Sequence, residues 1–348
     1  MAKRFLALIL AVMMVFTLAA CGDSQNAANS GSSGNGSSTE TGTVTLKMGH
    51  CLAADHPYNL GSLRFAELVE QYTNGAVKVD VYPASQLGGE RELWEGCIMG
   101  TVDICLAATA VLCNWDESFL VYELPFLFEN QEHARAVLDG EIGQTMLDNL
   151  SALNMVGLDY WWPGWMNIST SKVKVEHPED IAGLNMRTME SPPWQAYMKA
   201  LGANPVPTVF SEVYVGLQNG TLDGCNFAIP TIYTSKLYEV QDYYAQGNIV
   251  YTPVGLAIGE GAWEKIPEEY HDVIRQAAKE AGKYEIECID EMSANAVAEM
   301  EAAGYECYWI DTAEWRKAVQ PAYDELIPSR IPQETYDAIM ALAPSNNK

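Results

Sequence analysis

Apolar and polar residues alternate over Val44–Gly49, the period of a half-buried strand, and the run passes into His50-Cys51. Asp55-His56-Pro57 opens a segment in which Phe65, Leu68, Val69 and Tyr72 recur at helical spacing, which predicts a helix to about 74, closed by Gly75. Alternation returns over Val77–Tyr82, a second helix starts within Gln86-Leu87-Gly88-Gly89-Glu90-Arg91-Glu92, and 102–106 reads as a third strand. Strand, helix, strand, helix, strand is the pattern of a parallel-sheet lobe, because successive parallel strands need a covering crossover. Leu124-Pro125-Phe126-Leu127-Phe128 reads as a buried loop and 131–150 as one amphipathic helix.

A second unit begins near Met166 and continues through a strand from Leu184 to Arg187, a helix over 191–201 and the turn Asp223-Gly224-Cys225-Asn226. Ser211 is placed to cap the helix that follows Phe210. From about 267 to 304 the chain is rich in Ala, Glu and Met, which predicts a long helix that lacks the sustained heptads of a coiled coil.

The N-terminus adds the compartment. Lys3 and Arg4 precede an apolar run that ends in Leu18-Ala19-Ala20-Cys21, so 1–20 is expected to be a secretory signal peptide. A cysteine directly after the small residues is the acceptor pattern of bacterial lipoproteins, which makes Cys21 the expected lipidation site. Residues 22–42 are mostly Gly, Ser, Asn and Thr and read, with the lipidated Cys21, as a flexible tether over 21–42. The expected product is an extracytoplasmic domain, read as a monomer, that touches the membrane through its lipid alone.

Charge narrows the partners. The chain has 20 basic and 46 acidic residues, a formal charge of −26; without Lys3 and Arg4, 18 basic residues remain, giving −28. Such a surface repels phosphate backbones and anionic headgroups, which excludes nucleic acid. Seven arginines follow the signal: Arg64, Arg91, Arg135, Arg187, Arg275, Arg316 and Arg330. Any captured anion must therefore be held by one of few local cations. The seven cysteines beyond Cys21 show no metal-ligand or disulfide spacing, and Cys97, Cys105 and Cys113 sit among apolar neighbours as core residues. No nucleophile elbow, zinc-binding His pair or phosphate loop is present, so neither a cofactor, a metal nor an enzymatic reaction is expected.

Several short motifs recur in order along the chain: Asp55-His56-Pro57, Gln86-Leu87-Gly88, Gly100-Thr101-Val102-Asp103, Leu184-Asn185-Met186-Arg187, Phe210-Ser211-Glu212-Val213-Tyr214 and Leu222-Asp223-Gly224. In them the chain resembles the extracytoplasmic solute-binding proteins of TRAP transporters, over nearly all of 43–345. The resemblance implies an α/β, two-lobed, periplasmic-binding-protein-like fold with parallel or mixed sheets, hinge strands and a long helix spanning both lobes. Lobe I is expected at 43–165 plus 253–292, and lobe II at 166–252 plus 293–345. The implied function is capture of a small organic acid and its delivery to TRAP permease subunits. The alternatives are a ligand-sensing receptor for a membrane kinase, or an extracellular hydrolase.

The resemblance also implies a site. Arg187 corresponds to the arginine that pairs with the ligand carboxylate, and a guanidinium fork held by a strand suits that task. Its alternative is a structural ion pair, with Glu190 as partner; Glu190 is also a candidate at the cleft. Phe210 packs on the ligand or belongs to the core. Cys51, Glu90, Ala108 and Thr109 match cleft positions, and Glu90 is either a hydroxyl acceptor or a first-turn acid facing a helix dipole. His56 is a cleft contact or a helix cap. Phe227 stands where the family carries an asparagine, and Met166 where some members carry a second arginine. With Trp162 and its neighbours Trp161, Trp165 and Trp194 supplying rings, the expected ligand is a monocarboxylate with an apolar or aromatic body.

Overall fold

The computed structural model describes residues 43–347. The expected signal peptide, Cys21 and the expected tether lie outside the described residues. β1 (Val44–Gly49), α1 (Pro57–Tyr72), β2 (Val77–Tyr82), α2 (Glu90–Met99) and β3 (Ile104–Ala108) follow the predicted alternation closely. Short α3 (Thr109–Leu112) leads into the buried loop, and α4 (Gln131–Leu138) and α5 (Glu141–Asn149) precede β4 (Met155–Trp161). The expected single helix over 131–150 is thus two. The reason is local: a Cβ on Gly140 would lie 2.6 Å from the Ala136 carbonyl oxygen, and one on Gly143 2.0 Å from that of Leu138, so the backbone turns there.

The chain next builds the second lobe from β5 (Met166–Thr170), β6 (Asn185–Thr188), α6 (Pro192–Ala200), β7 (Asn204–Pro207), α7 (Phe210–Asn219), β8 (Gly224–Phe227), α8 (Ile229–Thr234) and β9 (Tyr243–Val250). β10 (Val254–Gly259) and α9 (Glu260–Trp263) return to the first lobe, and α10 (His271–Ala302), β11 (Glu306–Trp309), α11 (Thr312–Ala318), α12 (Gln320–Leu326) and α13 (Gln333–Ala341) complete the chain. Ser211 does not cap α7: Val209 is the N-cap residue, without a side-chain bond.

One sheet has the order β2-β1-β3-β10-β4, the other β11-β9-β5-β8-β6-β7. β1 runs parallel to β2 and β3, while β10 runs antiparallel to β3 and β4. In the second sheet β6 is parallel to β7 and β8, and β5 is antiparallel to β8 and β9. β7, with Pro205 and Pro207, occupies an edge, where a missing amide donor does least harm.

The chain crosses between sheets from β4 to β5 and back from β9 to β10, and Met166 pairs with Val250 beside both crossings. Gly164 in the first crossover has φ +95, and a Cβ there would lie 2.8 Å from that of Ala228. A side chain would press on the start of α8.

α10 spans both lobes. Ile274, Ala277, Ala278 and Ala281 enter the core under the first sheet, whereas Ala296 and Met300 enter that of the second with Tyr244 and Tyr305. Trp161 lies against its middle, donating to the Ala278 carbonyl at 3.2 Å. The C-terminal helices, expected in lobe II, touch both lobes: α12 packs on α6, while Tyr323 donates to the Pro125 carbonyl at 2.7 Å and Arg330 pairs with Glu117 at 2.6 Å. Their amphipathic pattern gave no indication of which lobe they would cover. No described helix is long and apolar enough to cross a membrane.

Candidate functional site

β6 carries Arg187 into the interior between the sheets, where its side chain is only 3 % exposed. Nε donates to the Thr208 carbonyl at 3.1 Å, which fixes the fork, but Nη1 is buried without a hydrogen-bond partner. Among the described residues no carboxylate lies within ion-pair distance of it. Glu190 is engaged elsewhere, by Arg91 Nε at 2.6 Å. The guanidinium carbon sits 4.8 Å from the Phe227 ring centroid, a cation–π contact, and Phe210 meets Phe227 edge-on at 5.5 Å. Burial draws the Arg187 pKa down from the usual arginine value, opposed by the nearby Glu90. A buried cation whose donors are not all satisfied is costly unless an anion completes it.

Arg187 lines a cavity of about 30 Å³ between the lobes, and among the described residues it is the one basic side chain there. The first lobe contributes Cys51, Leu52, Tyr58, Glu90 and Ala108; the second contributes Met189, Phe210, Phe227 and Thr231. Pro163, Met166 and Thr252 come from the two crossovers and their ends. Glu90 opens α2 and accepts the Ala108 amide at 3.0 Å; burial raises its pKa, with that bond and Arg187 acting against the rise. The Cys51 thiol is pushed well up by burial and is therefore no nucleophile. An apolar cavity that admits benzene measures about 150 Å³, so at about 30 Å³ a carboxylic acid requires the lobes to part about their crossovers. A larger cleft of about 370 Å³ lies beneath the C-terminal helices, but its arginine, Arg316, is solvent-exposed.

Three expected site residues fall outside this cavity. Trp162 stacks on Tyr251 at 5.5 Å and 9°, within the core; Trp161 and Trp194 are buried too. Of the rings expected around the ligand only Phe210 and Phe227 line the cavity, where Tyr58 joins them. Thr109 stands behind the wall, its hydroxyl 2.8 Å from the Glu123 carboxylate and 3.0 Å from the Pro253 carbonyl. Glu190 lies at the rim, paired with Arg91. Of its two expected roles His56 takes the cap: Nδ1 accepts the Tyr58 amide at 3.1 Å at the start of α1, while Nε2 lies 3.2 Å from Thr231 Oγ1 on the other lobe and the ring does not line the cavity. Burial holds the His56 pKa well below the histidine range, so the ring is neutral.

Sequence reasoning missed Leu52, Tyr58, Pro163, Met189, Thr231 and Thr252. Met189 was within reach, since it lies two residues beyond Arg187 and extended backbone returns to the same face with that period. Thr231 and Thr252 carry no such signal. Behind Thr252 the Glu123 carboxylate is fully buried and accepts from Thr109, Thr252 and, at 2.9 Å, Trp194 Nε1 of α6, linking both lobes and the crossover. Burial outweighs these three bonds and brings the Glu123 pKa up to about 7. Among the described residues no cluster of His, Cys, Asp or Glu could hold a metal ion.

The family of bacterial extracellular solute-binding proteins, family 7, matches residues 48–329. The chain is 33% identical to the C4-dicarboxylate-binding periplasmic protein DctP of Rhodobacter capsulatus, over 86% of this chain and 90% of that protein. A solved TRAP periplasmic solute-binding protein of Polaromonas sp. JS666, bound to D-erythronate, superposes with a TM-score of 0.83 at 33% identity, covering 86% of this chain and 98% of that one. Another, of Sulfurospirillum deleyianum with bound succinate, gives a TM-score of 0.81 at 32% identity, covering 86% and 98%. The two-lobed fold and the family match together make this chain a member of the extracytoplasmic solute-binding proteins of TRAP transporters, which are binding subunits and not enzymes.

Proposed function

We propose that this protein captures a short hydroxylated acid carrying one carboxylate, and hands it to TRAP permease subunits. The observation that carries this reading is Arg187: a buried guanidinium without an acidic partner, facing the lobe interface. The ligand carboxylate pairs with its free donors, and the Glu90 carboxylate accepts a ligand hydroxyl. A single basic side chain and an opposing acid disfavour a second ligand carboxylate. The aromatic body expected from the sequence does not stand. Trp161, Trp162 and Trp194 are spent in the core, Trp165 does not line the cavity, the cavity is small, and relatives are solved with D-erythronate and succinate.

A dicarboxylate is the second reading, favoured by the Rhodobacter capsulatus relative. Thermal shift and calorimetry on D-erythronate, succinate and phenylacetate separate the two. Saturation at ~100 times Kd adds about 2.7 kcal/mol of stability. D-erythronate binding at least tenfold tighter than succinate is the expected result; tight succinate binding with no response to hydroxy acids moves the assignment to dicarboxylates.

We also propose that Cys21 anchors the protein, on the strength of the Leu-Ala-Ala-Cys junction and the polar stretch behind it. Cys21→Ala is expected to leave acid binding intact and to abolish metabolic labelling with palmitate. A variant that is labelled and membrane-bound like the wild type removes the anchor from the reading.

A further inference from the structure

Glu190, expected in the cleft, instead meets Arg91 across its mouth. Arg91 stands at the start of α2 on the first lobe, and Glu190 follows β6 on the second; Nε and Oε2 are 2.6 Å apart. We propose that this pair is a latch between the lobes that slows release of the bound acid, an inference that rests on the carboxylate-binding reading above. Each latch residue directly follows a cavity residue: Glu90 precedes Arg91 and Met189 precedes Glu190. Closing the pair therefore seats the two cavity walls against one another.

The surroundings fix both halves. The Arg91 guanidinium lies 5.2 Å from the Trp115 ring centroid and 3.7 Å from Glu95, one turn along α2. Asn114 Nδ2, on the first lobe, donates to the Glu190 carbonyl at 2.7 Å. Deeper along the same seam Cys113 Sγ and Ser191 Oγ are 3.5 Å apart. Both latch side chains keep over a third of their surface in water, 37% and 36%, so the pair is weak enough to open and is screened by salt. It lies outside the cavity lining, so its loss shifts the balance of open and closed forms without removing a contact to the acid.

Stopped-flow release of D-erythronate and of succinate tests the latch. Arg91→Gln and Glu190→Gln are each expected to raise the release rate about two- to fivefold, with association changed by less than about twofold. The double variant is expected to release no faster than the faster single one, because the two residues act as one unit. The charge swap R91E/E190R restores slow release. Raising salt from about 20 to about 500 mM speeds the wild type and leaves the double variant unchanged. Release rates in both single variants equal to the wild type, or effects that multiply in the double variant, overturn the latch. If the wild type takes up neither acid, it is the choice of ligand that has failed. Small-angle scattering in low salt then decides on the latch: R91E is expected to be more expanded than R91E/E190R, and identical curves overturn it.

Discussion

Arg187→Met will abolish tight acid binding while making the unliganded protein more stable. The two effects have one cause. In the bound state the guanidinium completes a charge-assisted pair in a partly dry cleft, and its loss costs about 2–5 kcal/mol, roughly 30- to 5,000-fold in Kd. In the unbound state the same group is a buried cation with an unsatisfied Nη1 and no ion-pair partner among the described residues, Glu90 acting on it only from a distance. Replacing it with an apolar side chain of similar length removes that penalty, worth on the order of 1–3 kcal/mol. The lost Nε bond to the Thr208 carbonyl offsets part of the gain. Arg187→Lys should bind poorly as well, since an ammonium cannot present two parallel donors. Calorimetry and thermal melting on the three proteins read both effects. A large fall in melting temperature with unchanged affinity would make Arg187 a structural residue and remove the main support for the proposed site.

The second large effect is the share of the pH dependence of stability that Glu123 contributes. Its folded pKa, about 7, lies above the ordinary carboxyl value of 4.5 because burial disfavours the charge. The stability it contributes is therefore fully present below pH 4.5, is lost as pH rises from there to about 7, and stays lost above. The whole span amounts to about 3 kcal/mol. Glu123→Gln removes this dependence while keeping the links to Thr109, Thr252 and Trp194, because the threonine hydroxyls can reverse their donor roles. Asp159, whose pKa burial raises to about 6, and Glu285, pushed well up by burial, add slopes of the same sign in both proteins, so the difference between them isolates Glu123. Urea unfolding at pH 4.5, 6 and 8 is expected to show the variant gaining on the wild type as pH rises. Parallel pH profiles would place the titration elsewhere.

Much of this protein follows from local sequence. β1, β2 and the helix between them are fixed by periods of two and 3.6 that act within a few residues. Arg187 stands out by the same logic, as a scarce cation ending an apolar strand, and the acceptor pattern at Cys21 is local as well. The cavity is another matter. Cys51, Glu90, Arg187, Phe210 and Phe227 lie far apart along the chain and meet only because two crossovers fold the lobes face to face. Whether an aromatic lines the cleft or fills the core depends on where a neighbouring element packs. Trp162 therefore looked like a cavity wall in the sequence, and it became a core residue once Tyr251 stacked on it. Glu190 was drawn to Arg91 and not to Arg187 for the same reason: ion pairs are chosen by distance across the closed seam, and sequence proximity to Arg187 had no say in that choice. The hydrophobic pattern by itself determined the strand–helix alternation of the first lobe and the long helix. Which charged groups stand alone, and which find partners, only the tertiary packing decided.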